Sequence, residues 1–208
     1  SHHAVLRCAT LGAGSFPSTL VAMAGTIAID LGSTTTVVAY APGDGGRPEL
    51  VHLPPFSTAE PVVVPSLIWL SDPEAEQPLI GRQVLEAGLL ERGGLELQRD
   101  FKRWIGATDG ERPAASLLSP EQSGQLLLQR LWRQLPAALA PQRMVLTSPI
   151  DSYRGYRQWL LQATADLAVP EVALVDEPTA AAIGAGLAPG SRVLVLDVGG
   201  GTTDLSLV

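Results

Sequence analysis

One pattern occurs twice in this chain and limits the fold more than any other feature. In Ile27-Ala-Ile-Asp30-Leu-Gly32-Ser33-Thr34-Thr35-Thr-Val-Val-Ala-Tyr40 an apolar run ends in an aspartate. A glycine and hydroxyl residues follow, and a second apolar run closes the unit. Val193–Leu196 leads in the same order through Asp197-Val-Gly199-Gly200-Gly201-Thr202-Thr-Asp204 into Leu205–Val208. Each reads as a β-hairpin whose turn no large side chain fills. Consecutive glycines let the backbone take positive φ and bring its N–H groups close to an anion. The hydroxyls add donors, and the aspartates can hold a hydrated Mg²⁺ beside a phosphate. A single Gly/Thr turn is more often only a turn. Two turns with the same internal order, Asp30 and Asp197 in matching places, suit two clamps on a nucleoside polyphosphate and its metal.

No Gly-x-x-x-x-Gly-Lys-Ser/Thr loop competes with this reading, and no Gly-x-Gly-x-x-Gly links a strand to a helix. The net charge of −7, without a basic cluster, argues against a nucleic-acid surface. No apolar run is long enough to cross a bilayer. The lone cysteine, Cys8, cannot close an internal disulfide, so a reducing, cytoplasmic setting is expected. Thirteen arginines stand against one lysine, Lys102. The exception suggests a place where a compact ammonium is needed and a guanidinium will not serve.

Residues 1–25 carry no periodicity and read as an extension or a tag-like remnant, with Met23 a natural start just before the first strand. His2 and His3 in it read as part of such a tag rather than as metal ligands. Asp44-Gly-Gly46 marks a surface turn. Glu49–Leu53 and Val62–Leu70 read as strands, and Leu79–Arg92 as helical up to Gly93-Gly94. Lys102 lies between Phe101 and Trp104. Ser119-Pro-Glu-Gln122 is a capping-box helix start, with Leu128, Leu131, Trp132, Leu135 and Leu139 on one face. Arg143–Thr147 reads as a buried strand. Ser152–Ala168 is an amphipathic helix with Tyr156, Leu160, Ala163, Thr164 and Leu167 inward. Glu171–Val175 is a strand leading through Asp176-Glu177-Pro178-Thr179 to a small-residue helix, Ala180–Leu187. From Arg143 onward the alternation predicts an α/β fold with parallel pairing.

Four collinear segments resemble the nucleotide-binding domain of the DnaK-type 70-kDa heat-shock protein chaperones, within the actin-like ATPase superfamily. They are Ile29-Asp-Leu-Gly-Ser-Thr-Thr35, Phe101-Lys-Arg-Trp-Ile-Gly106, Asp176-Glu-Pro-Thr-Ala-Ala-Ala182 and Leu196-Asp-Val-Gly-Gly-Gly-Thr-Thr-Asp204. Val64-Pro-Ser-Leu-Ile68 and Ser148-Pro-Ile-Asp-Ser-Tyr-Arg-Gly-Tyr-Arg157 match in placement. The resemblance implies a ribonuclease H-like lobe, a mixed sheet flanked by helices. It places lobe I at residues 26–190 and the first hairpin of a truncated lobe II at 191–208. It implies ATP or ADP with Mg²⁺, held through water by Asp30 and Asp197. Gly32, Ser33, Thr34 and Thr35 in the first turn, and Gly199, Gly200, Gly201 and Thr202 in the second, would bind phosphates. Lys102 would stabilise charge at the γ-phosphate, near Thr202, and Glu177 would orient or deprotonate the attacking water. Such chemistry needs positioning and charge neutralisation more than covalent help.

The resemblance further implies a parent protein that couples ATP turnover to holding and releasing unfolded polypeptide, with a J-domain co-chaperone and a nucleotide exchange factor as partners. Pro149 and Arg157 match residues that relay nucleotide state in the family. Asp151 and Ser152 replace the aromatic pair usual after Pro-Ala there. The chain is expected to cover the first half of a nucleotide-binding domain, to bind nucleotide weakly or not at all and to lack chaperone activity by itself, with a terminal hairpin that frays or pairs with another copy. Two other classes share the superfamily: an actin-like, nucleotide-switched scaffold and a sugar-kinase relative.

Overall fold

A computed structural model describes residues 25–72, 77–108, 116–150, 155–188, 190, 192–198 and 203–208, without the side chains of 197, 198, 203 and 204. His2, His3, Cys8, Met23, Asp151 and Ser152 lie outside the described residues.

The first hairpin forms as its sequence dictates. β1 (Thr26–Leu31) runs antiparallel to β2 (Thr35–Ala41), with Asp30 opposite Val37. Asp44 Oδ1 accepts from the Gly46 N–H at 2.8 Å in the turn that leads to β3 (Glu49–Leu50), which pairs with β2. β4 (Val64–Pro65) pairs with the start of β2. β5 (Ile68–Trp69), β6 (Leu79–Ile80) and β7 (Leu97–Gln98) make a small separate sheet, with α1 (Arg82–Glu86) and α2 (Leu89–Arg92) between the last two. A 3₁₀ turn at Phe101–Trp104 precedes α3 (Pro120–Gln134). The chain then alternates: β8 (Arg143–Ser148), α4 (Gly155–Ala165), β9 (Glu171–Asp176), α5 (Glu177–Gly184). β10 (Leu194–Val198) and β11 (Thr203–Leu207) close the chain as an antiparallel hairpin, Asp197 opposite Asp204.

The main sheet is mixed, in the order β3-β2-β1-β8-β9 with β4 added on β2. β1 runs parallel to β8 and β8 to β9. Side chains alternate across a strand, so each strand feeds two cores. Ile27, Ile29, Leu31, Met144 and Leu146 pack on one face against Leu127, Leu128 and Leu131 of α3 and Tyr156 and Leu160 of α4. Ala28, Val37, Ala39 and Val145 line the other face with Ala180 of α5. The small-residue helix thus lies on small strand residues, where backbones can approach. This is the expected mixed sheet flanked by helices, and the capping box at Ser119 and Gln122 is present in both directions.

Four local expectations are corrected. Val62–Leu70 is not one strand: Val64 pairs with Thr36 in the main sheet, while Ile68 pairs with Ile80 and Gln98 in the small one. Glu49–Leu53 pairs as a strand only at Glu49–Leu50; beyond it Val51 N–H donates to Val38 O and Leu53 N–H to Ser57 Oγ. Leu79–Arg92 starts as a strand and then splits into two short helices, because Gly88 takes a left-handed φ of 66° between them. The small-residue helix begins at Glu177, three residues before Ala180, with Pro178 in its first turn, and ends at Gly184.

Candidate functional site

In open α/β sheets, ligands bind beyond the carboxyl ends of the parallel strands. Here β1, β8 and β9 end side by side, and their ends carry polar residues. Asp30 stands at the end of β1, and Thr147 Oγ1 at the end of β8 donates to Asp30 Oδ1 at 2.6 Å. Ser148 is in register with Asp176, and Glu177 follows as the first residue of α5.

Lys102 reaches this edge from outside the sheet. Its Nζ donates to Glu177 Oε1 at 2.5 Å, and both side chains are mostly buried, 11% and 21% exposed. The 3₁₀ turn is held from both ends. Phe101 and Ile105 are buried in the main core. Gly106 N–H donates to Glu121 Oε1 at 2.9 Å, while the Glu121 carbonyl accepts from Trp159 Nε1 at 3.2 Å. Gly124 in α3 makes the seat possible: a Cβ there would lie 2.6 Å from the Trp159 ring and 3.2 Å from Ile105. The lysine is therefore carried on a segment moored to α3 and, through Trp159, to α4.

The first turn is tied back through its carbonyls. Ser66 Oγ donates to Gly32 O at 2.7 Å and lies 3.0 Å from Thr36 Oγ1, and Ser66 N–H donates to Thr34 O at 2.8 Å. Gly32 is required by space: a Cβ there would stand 2.2 Å from Thr35 O. Ser33 is half-buried, and Thr34 and Thr35 are exposed. Asp197 lies on β10, its side chain outside the described residues, as are Gly199, Gly200, Gly201 and Thr202 altogether.

Lys102, Glu177 and Asp30 are thus gathered at one edge, with the first turn following Asp30 directly. Sequence reasoning does not single out Ser66 or Thr147 as site residues. The signal for Ser66 is a lone hydroxyl inside the apolar run Val62–Leu70; Thr147 shows itself only through its parallel partner. Tyr156, which reads from sequence as core, is buried as expected. Burial, then the charges of Glu177 and Asp30, push its phenol well above the usual tyrosine range. The described donors suit a hard cation: the Asp30 carboxylate offers oxygen only. That fits Mg²⁺, which keeps much of its own water.

The family model described as MreB/Mbl protein matches residues 122–208. The chaperone protein DnaK of Thermus thermophilus is 27% identical over 210 residues, covering 89% of this chain and 33% of the relative. Those of Elusimicrobium minutum and Deinococcus radiodurans are each 28% identical, covering 89% of this chain and 30% and 32% of the relative. The mixed sheet flanked by helices fits an actin-like fold. Over most of its length the chain is similar to the DnaK chaperones. It spans about a third of the length of the curated relatives it matches. No helix among the described residues is long and apolar enough to cross a membrane.

Proposed function

We propose that this chain carries one side of an ATP site, and that the whole protein binds and hydrolyses ATP in the manner of a DnaK-type chaperone. The observation that carries the reading is the convergence of Lys102, Glu177 and Asp30 at the carboxyl ends of the parallel strands. Lys102 neutralises charge on the transferring phosphoryl group, and Glu177 orients the attacking water. Ser33, Thr34 and Thr35 face the phosphates from a turn whose carbonyls Ser66 holds aside. Gly199, Gly200, Gly201 and Thr202 would bind phosphates from the second turn, with Thr202 close to the γ-phosphate. Asp30, aligned by Thr147, and Asp197 hold the hydration shell of Mg²⁺, which supplies positive charge to the phosphates. Residues 26–190 form lobe I and 191–208 open lobe II. In the whole protein, nucleotide turnover governs the holding and release of unfolded polypeptide, assisted by a J-domain co-chaperone and a nucleotide exchange factor. A cytoplasmic setting follows from the same reading.

A thermal-shift titration with MgADP and MgATP, beside Lys102→Ala, tests the site. A saturating stabilisation that the variant weakens supports it. No stabilisation at millimolar nucleotide counts against binding by this chain.

One observation favours a second reading, a nucleotide-switched scaffold. Leu194, Leu196, Leu205 and Leu207 form two directly opposed pairs on one face of the terminal hairpin, each more than 60% exposed. Such a face suits assembly with another copy. Light scattering that rises on adding MgATP distinguishes this reading from the chaperone.

A further inference from the structure

We propose that Glu121 is a positioning residue for Lys102: its carboxylate selects the turn that aims the lysine at Glu177. The inference rests on the ATP-site reading for its purpose, but not for its observations. Lys102 sits on the 3₁₀ turn Phe101–Trp104, and the chain leaves that turn through a second one, over residues 104–107. Ala107 N–H donates to Trp104 O at 3.0 Å. Ile105 has φ −65° and ψ 122°, and Gly106 has φ 81°. These match a type II β-turn, about −60° and 120° followed by about 80°. Ile105 N–H in turn donates to Lys102 O at 3.4 Å, so the backbone of the lysine is joined directly to this turn.

The turn type is what needs an account. Types I and II differ by roughly a half-rotation of the central peptide, here Ile105–Gly106. Glycine takes either sign of φ, so Gly106 permits type II without imposing it. The bond from Ala107 to Trp104 is common to both types and does not choose between them. The Gly106 N–H belongs to the central peptide, and it donates to Glu121 Oε1 at 2.9 Å. A flip would carry that N–H away and turn the Ile105 carbonyl oxygen towards a carboxylate, setting acceptor against acceptor. Glu121 therefore favours type II. It is well placed to do so: it is the second residue of α3, behind the capped start at Ser119, and its carbonyl accepts from Trp159 Nε1 of α4 at 3.2 Å. The start of α4 meets the turn as well, since a Cβ at Gly155 would stand 3.6 Å from Gly106 Cα. With the turn so fixed, Lys102 Nζ meets Glu177 Oε1. An acid in the first turn of a helix also suits the helix dipole. That role needs the charge but not the contact with Gly106, and the two are separable.

Because Lys102 is the only lysine, ¹⁵N-lysine labelling gives a single side-chain ammonium signal that reports on its contact with Glu177. Glu121→Ala is expected to shift that signal by more than its linewidth. Glu121→Gln keeps an oxygen acceptor for Gly106 without the charge, and is expected to hold the wild-type signal. Ser119→Ala loosens the same helix start without touching the turn, and is expected to leave the signal in place. An unmoved signal in Glu121→Ala overturns the proposal. So does a shift in Glu121→Gln as large as in Glu121→Ala, which would assign the effect to charge, or an equal shift in Ser119→Ala, which would assign it to the helix start. Where Glu121→Ala does not fold, Glu121→Asp replaces it: the carboxylate is drawn back by one methylene with its charge kept, the signal is expected to move, and an unmoved signal overturns the proposal. None of these measurements uses nucleotide. A chain whose signal behaves as expected but which MgATP does not stabilise sinks the ATP-site reading and leaves the positioning role standing. Stabilisation by MgATP with an unmoved signal in the variants does the reverse.

Discussion

Lys102 Nζ lies 2.5 Å from Glu177 Oε1 across 75 residues of chain, joining the 3₁₀ turn to the first residue of α5. The contact accounts for the only lysine in an arginine-rich chain. The ammonium is a point donor that can end in a mostly buried place against Glu177. A guanidinium is a wide planar fork and needs more room.

Removing either partner leaves the other charge poorly solvated. Lys102→Ala is expected to lower stability by about 1.5–3 kcal/mol, the range for a charge-assisted hydrogen bond. Lys102→Arg is expected to recover little of it. Urea unfolding of Lys102→Ala, Glu177→Gln and the double variant gives the coupling. A coupling below about 0.5 kcal/mol would falsify the pair as a stabilising contact.

Ser66 holds the first turn, and its loss strands two groups. In Ser66→Ala the buried Thr36 hydroxyl and the Gly32 carbonyl lose a partner. The expected cost is about 1–3 kcal/mol. Stabilisation by MgADP is expected to weaken as well, since the Gly32 carbonyl is no longer held aside, while the backbone bond to Thr34 O remains. Thermal shifts with and without nucleotide separate the two effects. An unchanged nucleotide shift in a destabilised variant would confine Ser66 to folding.

Gly124→Ala sets two effects of opposite sign against each other. Alanine gains about 0.8–1 kcal/mol over glycine inside a helix. The new Cβ would lie 2.6 Å from the buried Trp159 ring, and overpacking of this kind costs about 1–3 kcal/mol. The clash is expected to win, with a net loss of stability and altered tryptophan emission. A variant more stable than wild type would show that Trp159 can retreat.

Tyr156 makes stability fall in alkali. Its folded phenol holds its proton above the ordinary value near 10. Above that value the unfolded chain has released a proton that the folded chain keeps. The unfolded state then binds fewer protons, and stability falls with rising pH. The contribution is fully present below about pH 10 and is lost as pH climbs towards the raised folded value. Tyr156→Phe lacks this loss. The urea midpoint of the wild type is expected to fall further between about pH 8 and pH 11 than that of Tyr156→Phe.

The local patterns are legible without coordinates. The two hairpins, the capping box at Ser119, the inward face of α4 and the β8-α4-β9-α5 alternation all arise from residues near in sequence. Val62–Leu70 reads as a single strand because periodicity cannot say which partner a strand takes. Ser66 sits where the chain leaves one sheet for another, and its hydroxyl serves a turn 34 residues earlier. The short helices after Ile80 read as one because Leu89 and Leu90 continue the apolar spacing of Val84 and Leu85 across Gly88.

By itself the sequence singled out the residues proposed for phosphate chemistry: Asp30 and the hydroxyls after it, the lone Lys102, Glu177, and the glycine turn after Asp197. It also determined the α/β class, because strand and helix periods are local properties of the chain. Only the tertiary structure decided which of these residues meet. Parallel pairing of β1 with β8 and of β8 with β9 sets Asp30 beside Thr147 and Ser148 beside Asp176. Packing of Ile105 and Gly106 against α3 delivers Lys102 to Glu177. The physical reason is that these contacts join residues 15 to 117 positions apart, and no periodicity in a chain encodes which distant surfaces will exclude water together.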